Sequence, residues 1–311
     1  MKIVFMGTPD FAVPSLKKLI EHHEVVGVIT AVDKPSGRGK KIRHSAVKEA
    51  ALDLGLKVLQ PINLKDTVFH SKLEALGADL FVVVAFRMLP HAVWSMPPKG
   101  TINLHGSLLP DYRGAAPINR AIMNGETKTG LTTFFINENI DTGAIIDSVT
   151  CEIGENETAG DLHDKMMELG AGLLVDTVID IEKGSVASKD QLESAELKMA
   201  HKIFKKDCQI FWNQPAKVIH DHIRGLSPYP AAFSLVSEGD FDRVKIFKTM
   251  ITDRESGDNP GEIDSSKGKL YVQTKDFFLE ILEIQVPGKK RGTVQSFLNG
   301  YQLSDSFKFL S

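Results

Sequence analysis

The sequence predicts an α/β protein of two domains, in which a Rossmann-like, mostly parallel sheet domain precedes a small C-terminal β-barrel. Its 311 residues exceed the usual length of one domain. Strand and helix patterns alternate over roughly the first 150 residues, as in a parallel sheet with helices on both faces. Short strands separated by Gly and Asp turns follow residue 204, a pattern typical of an oligonucleotide-binding (OB-like) barrel.

Apolar patterns predict the elements of the first domain in order. The continuous apolar run Leu80–Phe86 is typical of a strand that is buried on both faces. Apolar residues at positions 13, 16, 19 and 20 recur at helical spacing. In sheets of this kind ligands bind beyond the carboxyl ends of the strands. The other predicted strands are Lys2–Met6, Val25–Thr30, Lys57–Gln60, Thr101–Leu104 and Leu131–Ile136, and further predicted helices are Ser45–Leu54 and Phe69–Leu76.

The residue pattern changes twice in the second half of the chain. A long helix is predicted at Ala159–Glu182, and the polar stretch Gly184–Ala200 has no sustained hydrophobic period, which indicates a linker. We therefore expect a first domain at residues 1–184, a linker at 185–203 and a β-barrel domain at 204–311. The predicted elements of the barrel domain are a helix at Pro215–Arg224 and strands at Ala231–Val236, Val244–Ile251, Gly261–Ile263, Lys269–Gln273 and Phe277–Val286.

Composition limits the possible function classes. Apolar residues make up 42% of the chain and charged residues 25%, with a net charge of -3. A nucleic-acid contact must therefore come from a local basic patch. Cys151 and Cys208 form no CxxC pair, and the histidines lack zinc spacing, so we expect no metal and a reducing compartment. Without a leader-like or membrane-spanning segment, we expect a cytoplasmic protein, and we take it to be a monomer.

The segment NLHGSLLPDYRGAAP, residues 103–117, carries the most chemical information. Asn103 and His105 lie two residues apart at a strand end, so their side chains project from the same face. An amide can polarise a carbonyl oxygen while an imidazole manages protons. For an isolated Asn-x-His pair, however, a polar strand end that faces solvent is the more common explanation.

A second polar group follows the Leu131–Ile136 strand, in the turn Asp141-Thr142-Gly143. A carboxylate at this point can hold His105 in its protonated form or position a water molecule. The tripeptide alone is a common turn sequence, so it indicates a functional site only in combination with Asn103 and His105.

A third segment, KPSGRGKKIR at residues 34–43, contains five basic residues and no acid. It is not a P-loop, because the spacing of glycine and lysine differs, and it is not a dinucleotide fingerprint. Charge alone leaves two interpretations open, a loop that contacts phosphates and a solvated basic loop. The basic residues are Lys34, Arg38, Lys40, Lys41 and Arg43.

Together these segments resemble the formyltransferase family that uses 10-formyltetrahydrofolate. Its signature is Asn-x-His followed by Ser-Leu-Leu-Pro and a later Asp, which here is Asn103, His105, residues 107–110 and Asp141. GTPDFA at residues 7–12, SGRGKK at 36–41 and HGSLLPDYRGAAPINRAI resemble the branch of the family that acts on initiator methionyl-tRNA. The resemblance spans the chain and weakens after residue 184. It implies formyl transfer to the methionine amino group for translation initiation, without a metal or covalent enzyme intermediate.

The resemblance also implies a role for each site residue. Asn103 donates to the formyl oxygen, His105 stabilises the developing charge or relays a proton to the folate nitrogen, and Asp141 orients His105 and a water molecule. Phe11 is a candidate for the methionyl pocket, with burial in the core as the alternative. The implied folate-binding residues are Phe86, Arg87, Met88, Leu89, Ser107, Leu108, Leu109 and Pro110, and the implied tRNA-binding residues are Lys34, Arg38, Lys40, Lys41 and Arg43.

The chain departs from the family pattern at AFRMLP, residues 85–90. Most relatives have Ala-Tyr-Gly here, followed by an Ile/Leu-Leu-Pro stretch. Phe86 lacks the tyrosine hydroxyl and Arg87 replaces a glycine. The backbone of this loop can still hold the pterin ring of folate, but no role of a tyrosine hydroxyl can be kept.

Three functions from different classes remain open at this point. The first is formylation of initiator methionyl-tRNA. The second is formylation of a small amine, such as a purine precursor or an amino sugar, or hydrolysis of the folate by the same three residues. The third is RNA binding without catalysis. The basic segment and the second domain favour the first over the second, and the intact Asn103, His105 and Asp141 set disfavours the third.

Overall fold

The computed structural model describes residues 1–36, 41–192, 194–239, 241–266, 268–304 and 306–310. The chain forms two compact units. The first comprises residues 1–114, 129–151 and 163–199, and the second comprises residues 115–128, 152–162 and 200–311. Two internal segments, 115–128 and 152–162, thus belong to the second unit, so the units are not contiguous in sequence. The boundaries expected at residues 184 and 203 stay a prediction.

The first unit is built on a seven-stranded sheet in the described part of the chain. Its strands are β1 Lys2–Gly7, β2 Glu24–Ile29, β5 Val58–Leu59, β6 Leu80–Val84, β7 Thr101–His105, β9 Lys128–Phe135 and β10 Ile145–Glu152, beside the short β3 Lys34–Ser36, β4 Lys41–Arg43, β8 Arg113–Gly114 and β11 Met199–Ala200. The strand order is β10-β9-β7-β6-β1-β2-β5. The pairs β1–β2, β1–β6, β2–β5 and β6–β7 are parallel, and β7–β9 is antiparallel. The predicted mostly parallel sheet is therefore confirmed.

The helices that accompany this sheet are α1 Val13–His22, α2 Ala46–Asp53, α3 Thr67–Glu74, α4 His91–Trp94 and the 25-residue α6 Ala159–Lys183. Two of them begin where the sequence supplies a capping side chain. Ser45 caps α2 by accepting a hydrogen bond from the Lys48 amide at 3.1 Å, and Asp66 caps α3 by accepting one from the Val68 amide at 2.9 Å. Each cap satisfies a backbone donor that the first helical turn leaves without a partner.

Helix α6 supports strand β7 through a glycine. A Cβ atom at Gly170 would lie 2.8 Å from Leu104 Cδ2 and 2.9 Å from Leu131 Cδ2. Glycine therefore allows the helix to approach the sheet closely, and Leu104 of β7 is only 3% exposed. The strand that carries Asn103 and His105 is thus fixed by close packing.

The edge strand β10 was not predicted from the sequence. It pairs at the end of the sheet, and most of its residues are exposed or half-buried. Polar residues such as Asp147, Ser148 and Thr150 interrupt any apolar alternation. An edge strand that contributes little to the core leaves no clear pattern in the sequence.

The second unit is built on an antiparallel sheet. Its elements are α5 Pro117–Met123, α7 Ala216–Leu226, β12 Ala232–Val236, β13 Arg243–Glu255, β14 Ile263–Ser266, β15 Lys269–Gln273, β16 Phe277–Gln285, β17 Gly292–Thr293, α8 Val294–Gly300 and β18 Phe309–Leu310. The strands pair in the antiparallel order β14-β15-β16-β13-β12-β18, and β17 pairs with β16. The register of β13 shifts at several points, which bends the strand. The predicted small C-terminal β-barrel domain is confirmed as an antiparallel half-barrel sheet.

Trp212 lies in the core of the second unit. Its side chain is fully buried, stacks on Phe309 at 5.4 Å between ring centroids and donates from Nε1 to Ser234 Oγ at 2.8 Å. A buried indole whose N–H finds an acceptor is stable in a core. Strand β18, only two residues long, is held in place by this stack and by pairing with β12. Among the described residues, no helix combines the length and apolar character needed to cross a bilayer.

Candidate active site

Strand β7 places Asn103 and His105 in the interior of the sheet, between β6 and β9. Asn103 lies opposite Val83 of β6 and Phe134 of β9, and His105 lies opposite Thr132 of β9. Residues two apart on a strand share a face, so both side chains project together at the carboxyl end of β7. His105 is 6% exposed and Asn103 is half-buried. An amide and an imidazole are thereby brought to one edge of the sheet.

Both ring nitrogens of His105 face polar groups. Nε2 lies 2.8 Å from the Tyr112 carbonyl oxygen, and Nδ1 lies 3.7 Å from Asp141 Oδ2. Because a carbonyl only accepts hydrogen bonds, we assign the proton of the neutral ring to Nε2. Nδ1 is then the nitrogen that can take up a proton, and the carboxylate stabilises the positive charge that results. The Phe134 ring packs edge-on against the imidazole, with the two ring centroids 6.5 Å apart, and restricts the orientation of the imidazole plane.

The turn that carries Asp141 has a special backbone. Asp141 has φ +55°, a left-handed conformation that Asp tolerates better than most residues. Its Oδ2 atom accepts a hydrogen bond from the Gly114 amide at 2.9 Å. A Cβ atom at Gly143 would collide with the Phe135 carbonyl, so only glycine permits the turn to pack against β9. The predicted turn is present, and its geometry aims the carboxylate at His105.

Strained backbone is concentrated around His105. Among the described residues, four that are not glycine have positive φ: Ala85 at +48°, Tyr112 at +61°, Asp141 at +55° and Ala231 at +73°. Ala85 follows β6 beside β7, Tyr112 supplies the carbonyl to Nε2, and Asp141 supplies the carboxylate. Such conformations cost about 1–3 kcal/mol each and cluster at functional sites. Three of the four therefore point to the end of β7 as the site.

The loop at residues 107–110 is fastened to strand β9 by Thr132. The Thr132 hydroxyl donates to the Ser107 carbonyl at 2.7 Å and accepts from the Leu109 amide at 3.1 Å. The Ser107 hydroxyl is fully buried and donates to the Asp111 carbonyl at 2.6 Å, so its hydrogen bond shapes the loop itself. Leu109 is buried, whereas Leu108 and Pro110 are half-buried. Sequence reasoning missed Thr132, whose role arises only when the strands pair.

The loop at residues 86–89 leaves the sheet beside β7, because Val84 pairs with Leu104. The Arg87 guanidinium donates to the carbonyls of Ile62, at 2.9 Å, and Pro61, and lies 5.7 Å from the Phe86 ring centroid. Leu89 anchors the loop in the core, and Met88 is 71% exposed. Arg87 thus links this loop to the segment that contains Pro61 and Ile62.

Phe11 lies in a short 3-10 turn, Asp10–Ala12, which begins three residues after the end of β1. It is 7% exposed, and its ring packs against His163 with centroids 5.2 Å apart. His163 Nε2 in turn lies 3.7 Å from Asp10 Oδ1. Phe11 is thus a core residue of the first unit in this structure, and its place in a methionyl pocket stays a prediction.

The basic segment, residues 34–43, begins and ends as a two-stranded ribbon, and the sequence had indicated only a loop. Strands β3 and β4 are antiparallel and pair Lys34 with Arg43 and Ser36 with Lys41. Arg38 and Lys40 lie outside the described residues. Because Lys34 pairs with Arg43, their exposed side chains lie directly opposite each other, where like charges repel. The ribbon presents positive charge to solvent.

A cluster at the base of the ribbon is centred on Asp33. Its carboxylate lies 2.5 Å from Lys48 Nζ, 3.0 Å from His44 Nδ1 and 2.9 Å from Gln60 Nε2. The hydrogen bond from Lys48 is the main cause that lowers the pKa of Asp33 well below its usual range. The Asp33 carboxylate is thus engaged by Lys48, His44 and Gln60.

In the part of the chain that the structure describes, no group of three or more His, Cys, Asp and Glu side chains could hold a metal ion. Cys151 and Cys208 are both buried thiols. Burial raises the pKa of the Cys208 thiol, which keeps it in the unreactive neutral form.

Comparisons with known proteins agree over both units. The formyl transferase family model matches residues 1–178, and the model for the formyl transferase C-terminal domain matches residues 202–302. A methionyl-tRNA formyltransferase of Flavobacterium johnsoniae is 49% identical over 310 residues, which span 99% of this chain and 98% of the relative. One of Bacteroides fragilis is 51% identical over 315 residues, which span 99% and 97%.

A solved structure shares the fold at much lower identity. The N-formyltransferase of Helicobacter canadensis, solved with folinic acid and dTDP-3-aminofucose, superposes with a TM-score of 0.69 at 20% identity. The match covers 90% of this chain and 98% of that one. At this level of identity the likeness concerns the fold alone.

Proposed function

This chain belongs to the formyl transferase family, and on that premise we propose that it transfers a formyl group from 10-formyltetrahydrofolate to the amino group of methionine on initiator methionyl-tRNA, for translation initiation. The observation that carries the proposal is the His105–Asp141 pair, 3.7 Å apart at the end of β7, in a chain that matches relatives of that name over almost its whole length. Catalysis is assigned to Asn103, His105 and Asp141.

Asn103 acts on the formyl oxygen. The bound folate supplies a formyl group on nitrogen, and attack by an amine drives negative charge onto the formyl oxygen. The Asn103 side-chain amide, half-buried on β7, donates a hydrogen bond to that oxygen. A donor held on a strand needs no reorganisation when the charge develops, so it favours the transition state over the ground state.

His105 moves the proton. Its Nε2 atom is occupied by the Tyr112 carbonyl, so Nδ1 accepts the proton that the amine releases and returns it to the folate nitrogen that leaves. Asp141 faces Nδ1 and stabilises the charged imidazole between these two events. With 7% and 15% of their side chains exposed, the two groups interact with little screening by water.

The ends of β6 and β7 offer a place for the folate. Their loops, residues 85–90 and 107–110, leave neighbouring parallel strands at their carboxyl ends, where ligands of such sheets bind. Phe86, Met88 and Leu108 supply apolar surface that remains accessible, as a planar ring system requires. Leu89 and Leu109 are buried and anchor the two loops. We assign folate binding to residues 86–89 and 107–110.

The ribbon formed by β3 and β4 is assigned to tRNA. Lys34 and Arg43 face each other across it, and Asp33 is already engaged by Lys48 and His44. A phosphate between the two cations relieves their mutual repulsion and releases counterions from the nucleic acid. A small amine needs no such surface, so the ribbon favours a tRNA acceptor over a purine precursor or an amino sugar.

The double variant Lys34→Ala/Arg43→Ala is expected to bind tRNA more weakly and with a flatter dependence on salt. For each phosphate that the protein no longer neutralises, the slope of log K against log salt falls by roughly 0.9 on duplex nucleic acid. Binding is measured across a salt series, with folate affinity as the internal reference, which stays unchanged.

Lys17→Ala/Lys18→Ala is the matched control, because it removes the same charge from exposed positions on helix α1. If the ribbon variant binds tRNA as the control does at every salt concentration, the ribbon is a solvated surface. Formylation of a small amine then becomes the better account of this site.

The remaining assignments rest on the same proposal. The chain acts as a monomer in the cytoplasm, where charged tRNA and folate are both present. Residues 1–184 carry the chemistry, residues 185–203 connect the domains, and residues 204–311 contribute to tRNA binding.

A further inference from the structure

Gln191 reaches the Asp141 turn from a segment without regular secondary structure. It lies after α6, in the polar stretch that the sequence indicated to be a linker. Its Nε2 atom donates to the Gly143 carbonyl at 2.7 Å and to the Asp141 carbonyl at 3.0 Å. One side-chain amide therefore holds two carbonyls of the turn whose carboxylate faces His105.

The other end of the Gln191 amide is held by Arg113. Gln191 Oε1 accepts from Arg113 Nε at 3.0 Å and from Arg113 Nη2 at 2.7 Å. Guanidinium groups only donate and carbonyls only accept, so these partners leave one possible orientation of the amide. Both donors and both lone pairs of Gln191 are used, and Arg113 is only 7% exposed.

Residues 112–114 connect these hydrogen bonds to the reacting groups. The Tyr112 carbonyl binds His105 Nε2, the Gly114 amide binds Asp141 Oδ2, and the Arg113 side chain between them binds Gln191. Residues 112–114 thus hold the imidazole and the carboxylate directly. They hold the backbone of the Asp141 turn indirectly, because Arg113 binds Gln191 and Gln191 binds the turn. A movement of the turn changes the distance between Asp141 and His105.

The segment that carries Gln191 does not depend on this amide for its attachment. Lys189 exchanges two backbone hydrogen bonds of 2.8 Å with Ile145 of β10. Further along, the Lys198 amide donates to Asp111 Oδ1 at 3.0 Å. The backbone of this segment is therefore attached at Lys189 and at Lys198. Removal of the Gln191 amide is expected to leave both attachments in place and to affect only the Asp141 turn.

We propose that Gln191, oriented by Arg113, is a positioning residue that fixes the backbone of the Asp141 turn and so holds the Asp141 carboxylate at His105. It touches neither substrate and acts through the His105–Asp141 pair, and the proposal rests on the transfer reaction assigned above. A site that must hold its groups within a fraction of an ångström requires such support, because a misplacement of about 1 Å costs roughly 100-fold in rate.

Gln191→Glu is the sharpest variant. It keeps the length of the side chain and the acceptor for Arg113, but it replaces both donors with an oxygen that faces two carbonyl oxygens. We expect kcat to fall roughly 10- to 100-fold with KM for both substrates near that of the wild type. The pH–rate profile is expected to change in the same way as in Asp141→Asn. Combining Gln191→Glu with Asp141→Asn is expected to produce little further loss, because both act on one pair.

Gln285→Glu is the matched control, because the amide of Gln285 also donates to a backbone carbonyl, that of Lys289 at 2.8 Å in the second unit. It is expected to leave the pH profile and the affinity for folate unchanged. Gln191→Ala serves as the second variant and is expected to show the same pH displacement as Gln191→Glu. A folded Gln191 variant with the pH profile of the wild type overturns the proposal, whatever its rate.

A readout without substrate separates this proposal from the proposed function. The backbone amide of Gly114 binds Asp141 Oδ2, and its NMR resonance is expected to shift in Gln191→Glu and not in Gln285→Glu. If the wild type formylates no acceptor, the proposed function fails and the Gly114 resonance still tests the positioning role. An unshifted resonance in a folded Gln191→Glu protein contradicts that role.

Discussion

Replacing Asn103 or His105 with alanine is expected to lower kcat for formyl transfer by roughly 100- to 1,000-fold while the protein stays folded. Loss of one preorganised donor to a developing oxyanion has that cost, and loss of a general acid–base group costs roughly 100- to 10,000-fold. In the proposed mechanism both residues act on the transition state, so kcat is expected to fall far more than the affinity for folate or tRNA. Steady-state kinetics with both substrates varied provide the measurement.

His70→Ala is the matched control for His105→Ala. His70 also presents Nε2 to a backbone carbonyl, that of Leu64 at 2.7 Å, in the same unit. The control is expected to retain kcat, and thermal unfolding of all variants shows that none has lost its fold. Near-normal kcat in both Asn103→Ala and His105→Ala would remove these residues from the site.

The variant Asp141→Asn is expected to lower kcat and to change the pH–rate profile. Asparagine has the shape of aspartate and tolerates the φ of +55°, so the turn and the hydrogen bond from the Gly114 amide can persist. The substitution removes the negative charge 3.7 Å from His105 Nδ1. Without this charge the imidazole loses the group that faces Nδ1 and stabilises the positive charge formed during proton transfer.

The comparison with the wild type isolates the enzyme's contribution, because the amine of the substrate titrates identically in both measurements. Asp79→Asn is the matched control, since Asp79 also accepts from a backbone amide, that of Lys2 at 2.8 Å. It is expected to leave the profile in place. A profile and rate for Asp141→Asn that equal those of the wild type would show that the carboxylate does not act on His105.

Regular, buried elements could be predicted from the sequence, because packing against a core requires apolar residues at regular positions. The continuous apolar run at residues 80–86 predicts β6, which the structure places at Leu80–Val84 with every residue buried. Strand β15 begins and ends where the pattern predicts, at Lys269 and Gln273. In both cases burial imposes the pattern that the sequence displays.

Elements defined by pairing rather than burial could not be predicted. Strand β10 lies at the exposed edge of its sheet, and β17 and β18 are two residues each, too short for any period. The ends of the basic segment pair as strands β3 and β4, although Lys34–Ser36 contains a proline and no apolar alternation. Only the partner strand reveals these elements.

The site divides in the same way. Asn103, His105 and Asp141 could be named as candidates because together they match the Asn-x-His and later Asp of the family that the sequence resembles. Tyr112 and Thr132 could not, since the first acts through its carbonyl and the second through a hydroxyl brought in by strand pairing. Gln191 lies 50 residues after Asp141 in a polar segment, and only the folded chain brings its amide to the turn.

The central claim is tested most directly by formyl transfer from 10-formyltetrahydrofolate to a panel of acceptors, measured as kcat/KM with the wild-type protein. The panel contains charged initiator tRNA, charged elongator tRNA, uncharged initiator tRNA, free methionine and an amino sugar nucleotide. We expect efficient transfer to charged initiator methionyl-tRNA and none to uncharged tRNA. Transfer to the amino sugar or to free methionine with equal or greater efficiency, or no transfer to the charged initiator tRNA, would contradict the account.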